Sequence, residues 1–357
     1  FAFAFMSLFH GALSDSFGRR PVVLWGVAIF ALGSVGCALA QDIGQLVFFR
    51  ILQGLSTGAG IVVARTVVRD LYPPSQAQRV MSQITIFFGI APAIAPVIGG
   101  ILLGWSDWHG IFWFLAAFGL VLFALTAWGL PETHPPENRV PLHAVTLARD
   151  YGGMLATRKF RLLALLGTAN FGALFLYIAS APAFVIDLLG LGEQDFVWFF
   201  APTIGGMMLG AFVSGRAAGR MSGQRLVEWG FACCGVAAAY NIGYNAWTDA
   251  PTLPWAILPT ALGAFGIALV FPIVTLLILD MYPRQRGSAS SMQAFVGLVS
   301  NAAIAGLLSP LVSHSGLALA LTAACFTAVG YALWRWYVSH ISRYPDPAAP
   351  ASSATGP

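Results

Sequence analysis

Charged side chains are scarce in this sequence. Only 9% of its 357 residues are Asp, Glu, Lys or Arg, whereas 58% are hydrophobic. Soluble domains carry about 25% charged residues, and a water-soluble fold this apolar would expose patches that aggregate. The shortage of charge therefore excludes an ordinary soluble domain. It predicts an all-α polytopic membrane protein, in which each spanning helix needs about 20 mostly apolar residues.

The sequence also lacks the motifs of several catalytic classes. Its six histidines are scattered in or beside loops without an HExxH pattern, and no Walker-type phosphate loop is present. Its few cysteines lie in apolar runs without metal-ligand spacing, so we interpret them as buried thiols: Cys37, Cys233, Cys234 and Cys325. We therefore expect no enzyme activity, no metal, no cofactor, no nucleic-acid partner and no ATP-driven transport.

Spanning segments are predicted along nearly the whole chain. There is no initiator Met and no signal-peptide pattern, and residues 1–13, FAFAFMSLFHGAL, are predicted to be the second half of a spanning helix whose start is lacking. Ten full spans are predicted at residues 22–40, 44–67, 79–104, 108–130, 162–188, 195–216, 225–247, 254–279, 288–312 and 315–338.

The long connection at residues 131–161, rich in proline and charge, divides the chain. We predict an N-terminal bundle over 1–130, a cytoplasmic linker over 131–161, a C-terminal bundle over 162–343 and a disordered tail over 344–357.

Basic residues fall in alternate loops, which predicts the orientation in the membrane. Of the 18 Lys and Arg residues, all but Arg50 and Arg65 lie on one predicted side. By the positive-inside rule that side is cytoplasmic, and it includes the C-terminus. The acids avoid the middle of the spans, with Asp187 and Glu228 near span ends.

A repeated pattern relates the two halves. Residues 69–83 read RDLYPPSQAQRVMSQ and residues 279–293 read LDMYPRQRGSASSMQ, each after a predicted span. The matched positions are Asp70 with Asp280, Tyr72 with Tyr282, and Pro73 with Pro283. A repeat with the same orientation predicts two parallel halves, one of the plans found in secondary transporters.

The stretch GALSDSFGRRPVV at residues 11–23 concentrates charge where charge is otherwise rare. Gly11 allows two helices to approach closely, and Gly18 permits a tight turn. Asp15 is predicted to cap the next helix, and Arg19 and Arg20 are predicted to lie at lipid-headgroup level. A positive anchor alone would explain the arginines but not the acid and glycines at fixed offsets.

GALSDSFGRRPVVL resembles the loop motif of the major facilitator superfamily between helices 2 and 3. The resemblance covers the whole chain and implies the major facilitator fold, with two pseudo-symmetric helical bundles and twelve spans in the full protein. It also implies a conformational latch, in which Asp15 and its arginines bind the opposite half when the cytoplasmic side is closed. Asp70 is a predicted partner for Arg19 or Arg20.

RILQGLSTGAG at residues 50–60 resembles the Arg-x-x-Gln-Gly motif of helix 4 in that superfamily. Arg50 lies about 9 Å inside its span, where a charge is costly unless it faces the bundle interior or water. The resemblance implies that Arg50, with Gln53 one turn on, takes part in proton coupling. Arg65 and Arg69, nearer the cytoplasmic end, are expected to snorkel to the interface.

GIAPAIAPVIGG at residues 89–100 resembles the helix 5 motif of drug–proton antiporters, except that Ala95 replaces the glycine before Pro96. Prolines four residues apart predict a bend, and neighbouring glycines allow tight packing, although a passive kink is the alternative. The motif residues are Gly89, Pro92, Pro96, Gly99 and Gly100. With ARTVVRDLYP and SAPAFVI, this motif looks most like the bicyclomycin/chloramphenicol-resistance (Bcr/CflA) branch.

Aromatic and amide side chains in two later spans are candidates for a substrate cavity, although each could equally be core: Asn170, Phe171, Tyr177, Tyr240, Asn241 and Tyr244. We expect a monomeric exporter of small amphipathic compounds in exchange for protons, in the bacterial inner membrane. An importer of the same fold, or a non-functional truncated remnant, is the alternative. The resemblance implies a coupling acid on a first helix that these residues do not contain.

Overall fold

The computed structural model describes residues 2–192, 195–248 and 250–340, without the side chains of residues 88–93, 96, 97, 100 and 144. The predicted tail at 344–357 lies outside these residues. The described part is helical and contains no extended strand, which confirms the predicted class. Its α-helices are α1 (Ala2–Phe17), α2 (Arg19–Ala38), α3 (Ile43–Leu71), α4 (Pro74–Trp105), α5 (Trp108–Gly129), α6 (Ala144–Ala156), α7 (Arg158–Ala179), α8 (Phe196–Ala217), α9 (Gly223–Trp247), α10 (Leu258–Met281), α11 (Arg286–Ala303), α12 (Ser309–Val312) and α13 (Gly316–His340).

Eight segments of the described chain are long and apolar enough to cross a membrane. They are α2, α3, α5, α7, α8, α10, the run Arg286–Val312 that contains α11 and α12, and α13. The other two predicted spans, 79–104 and 225–247, coincide with α4 and α9, which are helical but are not among the eight. The count of ten full spans stays a prediction.

Local chemistry explains several helix ends. Gly18 separates α1 from α2 with a φ of 102°, a conformation that favours glycine. Asp107 caps α5, where its side chain accepts a hydrogen bond from the backbone N–H of His109. The predicted span 162–188 is not one α-helix: α7 ends at Ala179, and a π-helical turn, Ala183–Leu188, follows Pro182. Proline has no N–H to continue an α-helix.

Packing divides the chain into two compact units. The first unit comprises Phe1–Leu71, Ala91–Phe160 and Ile278–Val299, and the second comprises Tyr72–Ile90, Arg161–Leu277 and Ser300–Pro357. Each unit draws on both predicted sequence halves, so the two predicted bundles stay a prediction. The predicted linker 131–161 lies largely in the first unit and contains α6.

Small residues allow close helix packing in both units. In the first, α2 packs against α3 and α5, and a Cβ on Gly26 would lie 2.6 Å from the Cβ of Ala59. In the second, a Cβ on Gly210 would overlap the carbonyl oxygen of Phe265 on α10. Without a strong hydrophobic drive between helices in lipid, such backbone approach supplies much of the association.

Tryptophans at helix ends remain exposed in the fold. Trp105, Trp128 and Trp247 close α4, α5 and α9 and are 85%, 89% and 92% exposed. Trp is enriched at both membrane–water interfaces, where the ring sits at headgroup level. Together with the apolar helices, these positions are those of a multi-pass membrane protein.

Candidate functional site

Asp15 lies in the last turn of α1 and is only 2% exposed. Its carboxylate accepts hydrogen bonds from Nη1 of Arg19 at 2.5 Å, from the backbone N–H of Gly287 at 3.1 Å and from that of Ser288 at 2.8 Å. The Ser288 hydroxyl also donates to it, at 2.9 Å. Because Gly287 and Ser288 open α11, the carboxylate satisfies free N–H groups at a positive helix end.

The predicted cap is therefore on a different helix. We expected Asp15 to cap α2, the helix that follows it. The N-cap of α2 is Gly18, which has no side chain to cap that helix end. Asp15 instead caps α11, accepting from the N–H of Gly287, which lies 272 residues further along the chain. The first N–H of α2, on Arg19, donates to Oε1 of Glu132 at 2.9 Å. A contact this distant in sequence cannot be inferred from local spacing.

Arg19 links Asp15 to a second acid. Its guanidinium is fully buried, and Nε donates to Oδ2 of Asp70 at 3.1 Å. Nη1 of Arg286 donates to the other oxygen of Asp70 at 2.7 Å. Two carboxylates hold Arg19 inside the fold, whereas its level relative to the lipid headgroups stays a prediction. The predicted Asp70–Arg19 contact is present.

Arg20 follows a different course from Arg19. It is partly exposed, and its Nη2 donates to the carbonyl oxygen of Ala127 at 2.5 Å. Arg69 forms an ion pair with Asp280. Arg69 is therefore paired with an acid, and its predicted snorkelling to the interface stays a prediction.

Gly11 is a point of close helix contact, as predicted. A Cβ on Gly11 would overlap the carbonyl of Gly287, and a Cβ on Gly287 would overlap that of Gly11. Beside this contact, Ser291 on α11 accepts from the N–H of Gly11 at 2.8 Å and donates to the carbonyl oxygen of Ser7 at 2.5 Å. One hydroxyl of α11 thus bridges two backbone groups of α1.

The segment 131–143 covers this cluster, and sequence reasoning missed its contribution. Glu132 accepts from the N–H groups of Arg19 and His134, both at 2.9 Å, and a Cβ on Gly18 would overlap its Oε2. Burial, and next the charge of Arg19, lowers the pKa of His134. The sequence signal for this contribution was the charge within a proline-rich connection. We call Asp15, Arg19, Asp70, Arg286, Gly287 and Ser288 the Asp15 cluster.

The predicted coupling pair is in contact. Nη1 of Arg50 donates to Oε1 of Gln53 at 3.1 Å, and Nε2 of Gln53 donates to Oγ of Ser34 on α2 at 2.7 Å. Gln53 is buried, whereas Arg50 is exposed in the fold, with its guanidinium 5.9 Å from the centre of the Phe112 ring. That distance is within the range of a cation–π interaction.

The predicted antiporter motif lies within α4, which runs from Pro74 to Trp105. The side-chain environments of Gly89, Pro92, Pro96 and Gly100 lie outside the described residues. At Gly99, no described atom lies within 4 Å of the position of a Cβ. Tight packing at Gly99 is therefore absent from the described part, and the bend stays a prediction.

Two of the six residues predicted to line a substrate cavity are in contact. Nδ2 of Asn241 donates to the hydroxyl oxygen of Tyr177 at 2.7 Å, and both side chains line a cavity in the second unit. The others lie elsewhere: Asn170 is buried 3.4 Å from the carbonyl oxygen of Ile267, Phe171 packs on Phe175, and Tyr240 stacks on Tyr244.

Apolar spanning helices, glycine-mediated contacts and a buried charge cluster at helix ends define a multi-pass helical membrane protein. The chain belongs to the Major Facilitator Superfamily, whose profile matches residues 1–305. This is a superfamily of transporters, so the prediction that the chain is not an enzyme is confirmed.

Similar proteins show which members of the superfamily the chain resembles. The chain is 28% identical over 316 residues to the bicyclomycin resistance protein homolog of Haemophilus influenzae, covering 87% of this chain and 77% of that protein. It is 30% identical over 307 residues to YdgK, an uncharacterized MFS-type transporter of Bacillus subtilis, with coverages of 85% and 75%. It is 27% identical over 318 residues to multidrug resistance protein D of Escherichia coli, with coverages of 88% and 79%. The predicted resemblance to drug-efflux members is confirmed.

Solved structures confirm the fold. The human organic anion transporter MFSD10 matches with a TM-score of 0.76 at 20% identity, covering 94% of this chain and 80% of that one. The Escherichia coli fucose:proton symporter FucP matches with a TM-score of 0.74 at 14% identity, with coverages of 94% and 88%. At such identities these likenesses establish the major facilitator fold alone.

Proposed function

We propose that the protein exports small amphipathic compounds across the inner membrane of a bacterium in exchange for protons, by alternating access. Two of its relatives are named for bicyclomycin or multidrug resistance, which supports drugs as the substrate class. The basic loops support an orientation with the C-terminus in the cytoplasm.

The burial of Asp15 is the observation that best supports alternating access. Its carboxylate joins Arg19 to the start of α11, so residues 15 and 287 are held together by charge-assisted hydrogen bonds. A transporter that opens to the cytoplasm must separate contacts of this kind and form them again. We propose that the Asp15 cluster is formed in one state and broken in the other, as a two-state element requires.

Proton coupling is the finer part of the proposal. Arg50 and Gln53 form a polar chain to Ser34, and a charge in a span is by default a functional candidate. We propose that Arg50 and Gln53 respond to protonation elsewhere in the protein, and that the motif of Gly89, Pro92, Pro96, Gly99 and Gly100 prevents proton leakage as its helix moves.

Energised efflux tests the proposal. The full-length protein is expressed in bacteria stripped of their main efflux pumps, and the cells are loaded with labelled chloramphenicol and energised. An exporter empties cells faster than the vector control, and a protonophore removes the difference. Accumulation above the control would favour an importer, and no difference from the control would contradict the proposed export.

A further inference from the structure

The cavity in the second unit combines apolar walls with a small polar corner. It encloses about 40 Å³ between α7, α9, α10 and α13. Its walls include five alanines with Leu174 and Ile267, and none of its lining residues is charged. Since a cavity of about 150 Å³ holds benzene, this one has room for a substituent rather than a whole drug.

The polar corner consists of Tyr177 and Asn241, and Asn245 is hydrogen-bonded to Asn241. One atom that can only accept a hydrogen bond determines the direction of all the hydrogen bonds among them. The backbone carbonyl oxygen of Asn241 can only accept, so the Asn245 atom 2.8 Å from it must be the amide nitrogen. That nitrogen also lies 2.9 Å from a side-chain atom of Asn241, which must therefore be Oδ1. The other end of the Asn241 amide is then Nδ2, and it donates to the hydroxyl oxygen of Tyr177 over 2.7 Å.

The hydroxyl proton of Tyr177 is consequently free to donate. The side chain is 3% exposed, and the described residues offer no acceptor for that proton. The other hydroxyls of the wall already donate, Thr260 to the carbonyl of Ile257 and Thr327 to that of Ala323. The cavity therefore presents the Tyr177 hydroxyl proton and the second amide proton of Asn241 as donors, and no acceptor for either is found among the described residues.

We propose that this cavity receives the acceptor-bearing end of a neutral compound, with the Tyr177 hydroxyl donating to its carbonyl oxygen. A cation would be desolvated here without a partner. This inference rests on the proposed export function for its physiological relevance, but its test measures equilibrium binding and needs no transport.

Two matched probes test the proposal on the purified full-length protein. Prodan is a neutral, fluorescent naphthyl ketone, and its analogue has the carbonyl reduced to a methylene. We expect wild type to prefer prodan, and Tyr177→Phe to weaken prodan binding about threefold to tenfold while the analogue changes by less than about twofold. Tyr331→Phe removes an exposed hydroxyl on α13 outside the cavity lining and should change neither affinity.

A second variant keeps the proposal testable if Tyr177→Phe does not fold. Ala237→Leu fills the cavity without touching the hydrogen-bond chain, and it should remove the preference for prodan. Equal affinities of wild type for the two probes would overturn the proposal. So would equal weakening of both by Tyr177→Phe, no weakening of prodan by that variant, or an Ala237→Leu protein that binds prodan as wild type does. Transport that fails while these binding results hold would overturn the export function and not the site.

Discussion

Asp15 is stabilised by partners that come from two distant stretches of the chain. Arg19 is one turn further along, whereas Gly287 and Ser288 follow after more than 270 residues. A buried carboxylate keeps its charge only where such partners compensate the loss of water. The residue therefore links the integrity of one local loop to the position of α11.

Asp15→Asn should abolish export with little loss of expression. Asparagine keeps the shape but removes the charge that compensates Arg19, and breaking a buried pair costs about 3–5 kcal/mol. If the cost falls on the state in which the Asp15 cluster is formed, we expect export to slow by more than about tenfold. Initial rates of energised efflux, normalised to membrane expression, measure the effect.

The matched control for that variant is Asp107→Asn, which changes an exposed acid at the start of α5. It should leave export near the wild-type rate. Normal transport by Asp15→Asn would reduce the loop to a membrane anchor and refute the latch.

His134 should make stability depend on pH. Burial lowers its pKa in the folded protein below the ordinary value of 6.5, so the unfolded chain binds more protons as the pH falls through that range. Stability is then fully present above about pH 6.5 and declines toward the folded-state pKa. Between pH 7.5 and 5.5, His134→Asn should lose less Tm than wild type, whereas the exposed-site control His314→Asn should behave as wild type. An identical pH slope in all three proteins would contradict this.

At the scale of the helices, hydropathy predicted most of the architecture, because each span must bury its backbone polar groups within one element. It did not predict α6, since that helix lies outside the spans and carries no long apolar run. It predicted a loop at Asp15, which lies in the last turn of α1, and it expected Asp15 to cap α2 rather than α11. Helix capping by a neighbour depends on tertiary packing, which local spacing does not encode.

The contact of α1 with α11 requires glycine at two positions. Gly287→Ala should destabilise the protein and slow export, because its Cβ would overlap the carbonyl of Gly11 and crowd Asp15. Gly297→Ala, on the same helix, meets no described atom within 4 Å. It should be neutral or stabilising by up to about 1 kcal/mol, since alanine favours a helix over glycine. Thermal unfolding and efflux are measured for both variants. Equal effects of Gly287→Ala and Gly297→Ala on Tm and on efflux would contradict the requirement for glycine at the contact of α1 with α11.

The paired prolines of α4 predict a separate phenotype. Replacing Pro92 and Pro96 together by alanine restores two backbone donors and should straighten the helix. We expect impaired antiport or an uncoupled proton leak, measured as pH equilibration in proteoliposomes without drug. If the rate of proton leakage and the rate of export are both unchanged, the motif serves only helix packing.

For the whole molecule, composition predicted an all-helical membrane protein, and the repeat and the resemblance to the major facilitator superfamily predicted a transporter. The superfamily match confirms both predictions. The repeat at residues 69–83 and 279–293 pointed to positions that the fold does use: Asp70 pairs with Arg286, and Asp280 with Arg69. The cavity at Tyr177 and Asn241, which we propose as a binding site, could not be predicted from the sequence, because four helices build it.

Substrate-dependent proton movement tests the central claim most directly. The full-length protein is reconstituted in proteoliposomes with a pH-sensitive dye inside, and chloramphenicol is added in the absence of any other gradient. Antiport predicts that protons move opposite to the drug, with a response that saturates and that Asp15→Asn abolishes. Absence of proton movement, or protons moving in the same direction as the drug, would contradict the account.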